Sequence, residues 1–136
     1  MGTWDIGPFD NDTAADWCGG LQDAVAEQRP LLIRKTLAAV AGQDDYLDSD
    51  EAGEAIAAAA IVASQRSGTP ITSPYAPDFL VEGGSVAIDD ELVALAVAAL
   101  DRVVAEDSEW RELWAESGAF SQATAVIAQL RTDLVT

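Results

Sequence analysis

Carboxylates are the side chains this sequence carries in excess, and two runs of them are spaced closely enough to suggest chemistry. Asp10, Asp12 and Asp16 sit in a segment rich in glycine and aromatics, and Asp44, Asp45 and Asp48 precede an alanine-rich stretch. Oxygen donors of this kind suit hard cations such as calcium and magnesium. A close pair of them can also serve acid–base hydrolysis. Neither run fits a twelve-residue calcium loop. Counted from Asp48, the fifth and twelfth places fall on Ala52 and Ala59; counted from Asp10, the sixth and twelfth fall on Ala15 and Leu21. Each register lacks ligands or the turn glycine that the loop needs. A cation gathered from separate loops by Asp10, Asp12, Asp45 and Asp48 is the remaining metal reading. A metal-dependent hydrolase, the alternative function, would rest on it.

Other chemistries are narrower. With no histidine and a single cysteine, the chain alone cannot build Cys₄, Cys₂His₂ or His₃ zinc sites, an internal disulfide, or any triad that needs histidine. Cys18 has no histidine to deprotonate it and reads as a small core thiol. Phosphate-binding loops, dinucleotide fingerprints and nucleophile elbows are missing, and Gly83-Gly84-Ser85 is a turn signal. No catalytic residue and no cofactor is expected. Trp110 and Trp114 lie one turn apart on one helix face, a spacing that serves either a core or a contact hot spot. Those two tryptophans, with Asp10, Asp12 and Asp16, are the candidate binding residues.

The overall charge narrows the partners. Twenty-four acids against seven bases leave a net charge of −17, spread through both halves of the chain with no acidic tail. Such a surface repels nucleic acid and anionic membranes and attracts basic proteins. The first residues have neither the basic nor the apolar region of a signal peptide. The near-apolar run Ala55 to Ala63 is nine residues, well short of the about 20 a membrane helix requires. A cytoplasmic location is expected.

The elements that must position these residues are helical. The chain has 136 residues, about one folding unit, and 41 apolar residues larger than alanine, enough to bury a core. After an arm anchored by Trp4, Ile6 and Phe9, any of Asp10, Asn11 and Asp12 can cap a first helix. With Asp12 as the cap, Ala14, Trp17, Cys18, Leu21, Ala24, Val25 and Gln28 share its inner face. Gly19-Gly20 weakens its middle. Pro30 opens a second helix that ends at Gly42. Asp48 with Glu51 forms a capping-box variant at the start of a third, which runs to about Gln65. Its small residues on every side mark it as central. From about 68 to 88 a long Pro/Gly loop follows, with a single turn at Asp78 to Glu82 that packs Phe79 and Leu80 inward. Asp89-Asp90-Glu91 opens a fourth helix. A short one, capped by Asp107 or Ser108, carries Trp110, Leu113 and Trp114. A terminal helix carries Phe120, Ala123, Ile127, Leu130 and Leu134. The expectation is an all-α bundle of five or six helices in one domain, 1–136.

Gly2-Thr3-Trp4, Gly7, Phe9-Asp10-Asn11-Asp12, Ala14 and Asp16-Trp17 together resemble the start of a bacterial family known only as a domain of unknown function, G-T-W-G-x-G-x-F-x-N-D-x-A-x-D-W. Asp5 stands where that pattern has glycine. The acidic segment Asp44-Asp45 to Asp50 and the stretch from Leu92 through Leu100-Asp101-Arg102 to Trp110-Arg111-Glu112-Leu113-Trp114 extend the resemblance over most of the chain. The family implies no activity, cofactor or catalytic residue. The reading is a small acidic binding protein, of inhibitor or immunity type, that engages a basic partner. Alanine-rich faces also leave room for a homo-oligomer.

Overall fold

Every helix start that carries Asn, Asp or Ser uses it to accept a first-turn N–H. The computed structural model describes residues 7–73 and 75–135, so Trp4 and Ile6 of the expected arm lie outside the described residues. Among the described residues seven α-helices follow one another: α1 (Asp12–Asp23), α2 (Arg29–Ala41), α3 (Ser49–Ser67), α4 (Asp78–Val81), α5 (Asp90–Val103), α6 (Glu109–Ser117) and α7 (Phe120–Val135). The all-α class is as expected. The helix among these beyond the expected five or six is α4, the single turn inside the Pro/Gly loop. No strand occurs among the described residues, only an isolated parallel bridge between Leu47 and Ser108.

The third helix organises the rest. From Ala52 to Ala63 every residue of α3 except Glu54 is buried. Alanine and Gly53 let α1, α2, α5, α6 and α7 all pack against it. Large side chains then come from those neighbours: Leu21 from α1, Ile33, Leu37 and Val40 from α2, Leu92, Leu100 and Val103 from α5, and Ile127 and Leu134 from α7. Small residues at the axis and leucines around it suit the close packing of a protein interior.

Two boundaries differ from expectation. Asn11, not Asp12, caps α1, its side chain accepting from the Ala14 N–H at 2.8 Å. The helix also stops at Asp23, five residues before Gln28. Arg29 supplies the reason: its guanidinium takes the Leu21 and Gln22 carbonyls at 3.1 and 2.9 Å, satisfying acceptors that further turns would have used. A 3₁₀ turn, Ala26–Gln28, then leads into α2, leaving Val25 exposed rather than on the inner face. The helix runs unbroken through Gly19-Gly20, where an added Cβ would meet nothing within 4 Å at either position. No close approach explains that pair.

The segment between α3 and α5 is tied down by amides. The Gln22 side chain accepts from the Phe79 N–H at 2.9 Å, and the Gln65 side chain from the Val86 N–H at 3.2 Å. Arg29 stacks 3.8 Å above the Phe79 ring. Gly84 packs so tightly that a Cβ there would lie 2.5 Å from the Phe79 carbonyl oxygen. Leu80 is buried and Phe79 half-buried, so the turn does pack inward.

Candidate binding face

Three helices begin side by side at one end of the molecule. Asp48 caps α3, its carboxylate accepting from the Glu51 N–H at 2.7 Å. Ser108 caps α6, and Leu47 exchanges backbone hydrogen bonds with Asp107 and Glu109, both 2.8 Å. Glu109 then reaches across to accept from the Ser49 N–H at 2.8 Å. The start of α1 joins them, because Asn11 and Thr13 face Gly53 and the Thr13 hydroxyl donates to Asp50 at 3.0 Å. Three positive helix ends meeting here favour carboxylates.

More carboxylates gather than those caps use. Asp44, Asp45, Asp48, Asp50 and Glu112 are exposed, and none takes part in an ion pair among the described residues. The charges of Asp48 and Asp50 reach two glutamates on α3. Burial, then the charges of Asp50, Glu51 and Asp48, push the Glu54 carboxyl above its ordinary range. Burial and the adjacent Asp48 do the same to Glu51. Tyr46 stands among them, 50% exposed. Its hydroxyl donates to Glu112 at 2.8 Å. That bond, with burial and the charges of Glu112, Glu109 and Asp107, raises the phenol to about 12.

The arginine that reaches the loop of this cluster forms no ion pair with it. Arg102 donates instead to the backbone carbonyls of Gln43, Asp45, Glu106 and Asp107, at 2.7 to 3.1 Å. This clasp holds the loop before α3 to the loop before α6. It also steadies Asp107, whose φ of 59° lies in the left-handed region; aspartate tolerates that conformation better than most residues. Other arginines are engaged in the same way. Arg29 and Arg66 take C-terminal helix carbonyls, and Arg111 takes that of Val104. Ion pairs among the described residues use Arg34, with Asp89 and Glu91, and Arg131, with Asp101.

The sequence candidates divide. Trp110 is buried at 9% exposure and belongs to the core, with the half-buried Trp114 tilted against it at a ring separation of 6.3 Å. Asp12 and Asp16 are exposed on successive turns of α1, and Asp10 is half-buried just before it. Among the described residues, no group of three or more Cys, Asp or Glu side chains is arranged to hold a metal ion, Asp10, Asp12, Asp45 and Asp48 included. Burial raises the Cys18 thiol to about 12, which keeps it neutral. No helix among the described residues is long and apolar enough to cross a membrane.

Sequence reasoning missed Tyr46, Glu109 and Arg102. The one available signal for Tyr46 was an aromatic residue stranded in a polar connection. The other two act across 57 to 60 residues of chain, where no local pattern reports them.

Comparison with curated proteins and with solved structures returns no match. A family model described as a domain of unknown function (DUF4259) matches residues 2–125. That span covers nearly the whole chain, including α1 to α6 and the acid-ringed end, and the protein belongs to this family.

Proposed function

We propose that the chain is an acidic binding protein that engages a basic protein through the end where α1, α3 and α6 begin. One observation carries the reading. Arg102, which reaches into that end, is committed to four backbone carbonyls and forms no ion pair with the surrounding carboxylates. Fixed, unpaired charge of one sign steers an oppositely charged partner and orients it on arrival. Tyr46 supplies an amphipathic anchor at the centre, held in place by Glu112. Asp10, Asp12 and Asp16 extend the acidic rim along α1. Trp114 contributes a partly exposed ring on α6, with Trp110 as its buried support.

Within this reading the specific role is inhibitor-like or immunity-like: an acidic face covers the basic working surface of another protein. A cytoplasmic setting fits a chain whose lone thiol is buried. Nucleic acid and anionic membrane are poor ligands, because the same carboxylates repel phosphate.

The test is capture from a source-cell extract on the immobilised chain. A basic protein should be retained at low ionic strength and released by about 0.5 M salt, where screening shortens to a few ångströms. It should be lost from a variant carrying Asp44→Asn, Asp45→Asn and Glu112→Gln. Capture of nothing, or capture indifferent to salt and to these substitutions, would overturn the proposal.

A further inference from the structure

In a chain of net charge −17, one helix among those described contains no acid at all. It is α2, which instead holds three of the seven bases, Arg29, Arg34 and Lys35. Ile33, Leu37 and Val40 face the core, and Leu31, Leu32, Lys35, Ala38 and Ala39 are exposed. At 3.6 residues per turn these five occupy one outward strip roughly 120° wide. Leu31 is 57% exposed and Val25, just upstream, 62%. Two carboxylates beside the strip are already matched: Arg34 pairs with Asp89 at 3.1 Å and with Glu91 at 2.6 Å, at the start of the neighbouring α5. Lys35 is the cation that forms neither a hydrogen bond nor an ion pair among the described residues.

We propose that this strip docks a second copy of the same chain, α2 against α2, antiparallel about a two-fold axis passing close to Lys35. Two observations select that occupant. Bulk is graded along the strip, with leucines at 31 and 32 and alanines at 38 and 39. An antiparallel two-fold therefore lays each copy's leucines on its partner's alanines, a self-complementary fit of the kind isologous interfaces require. Charge agrees: two strongly acidic bodies repel on most approaches, and α2 is the helix along which they meet without opposing carboxylates. The Lys35 stems cover apolar surface while their ammonium groups reach solvent on either side of the axis.

Salt separates this contact from the acidic-face reading. Binding of a basic partner weakens as salt rises, whereas self-association of two anions strengthens. Sedimentation equilibrium should give an average mass climbing from 14.3 kDa towards twice that value with protein concentration. The climb should be steeper at about 0.5 M than at about 0.05 M salt. Leu31→Asp and Ala38→Glu, both at exposed positions, should each weaken association at least about tenfold with the helical spectrum unchanged. Lys35→Cys should give a disulfide-linked dimer on mild oxidation, with the buried Cys18 silent. A chain that stays monomeric under all these conditions would overturn the proposal. So would a dimer indifferent to Leu31→Asp, a dimer whose Lys35→Cys form does not cross-link, or a monomer whose Leu31→Asp variant loses a different captured protein.

Discussion

The two ends of α3 are held by different forces. At its start, backbone N–H groups are taken by the carboxylates of Asp48 and Glu109, and the loops are clasped by Arg102. At its far end, neutral amides do the tying: Gln65 and Gln22 fix the 68–88 segment, with Arg29 over Phe79. Helix polarity explains the capping carboxylates at the first end, since N-terminal N–H groups attract them. It does not explain the further carboxylates at the first end that cap no helix. The far end is built for its own stability, whereas the first carries charge that repels itself.

That contrast can be broken by substitution. Arg102→Met removes a clasp of charge-assisted bonds and should cost about 2–3 kcal/mol in urea unfolding. A loss under half of that would mean the two loops hold each other without it. Gln65→Leu, at the other end, strands the Val86 N–H and should cost about 1 kcal/mol. It should also speed proteolytic cleavage within 68–88 and leave cleavage elsewhere unchanged.

Glu54→Gln sharpens the contrast in the opposite direction. A carboxyl whose folded pKa is raised binds its proton more readily in the native state than in the unfolded one. Stability then rises as pH falls from neutral through the raised value towards the ordinary 4.5. Glu54→Gln should therefore raise the melting temperature at pH 7, an advantage that shrinks towards pH 4.5. A wild-type chain that loses stability steadily over that range would contradict the repulsion account. The smallest effect is spectroscopic. Tyr46 should ionise near 12, and Glu112→Ala should bring it down towards 10 without moving the unfolding midpoint.

The sequence disclosed what local periodicity and short caps encode. An alanine-rich stretch with no polar side predicted a central α3, Asp48 read correctly as a cap because it directly precedes its helix, and Asp89-Asp90-Glu91 marked the start of α5. Asn11 was one of three adjacent cap formers, and composition alone could not choose among them. The end of α1 was misread because Arg29, beyond the helix, terminates it. Trp110 and Trp114 share a helix face as their spacing implied, yet one is core and the other only partly covered. That distinction depends on packing by other helices, which spacing does not carry. The acidic end as an assembled face was least legible, since α1, α3 and α6 are joined by contacts far apart in the chain.

The central claim is that the exposed carboxylates beside Tyr46 serve contact and are unnecessary for folding. Its most direct test is the melting temperature, at pH 7 and low salt, of the chain carrying Asp44→Asn, Asp45→Asn and Glu112→Gln. Relief of repulsion should leave that temperature equal to or above the parent's. A fall of several degrees would show that these charges hold the structure together, and would contradict the account.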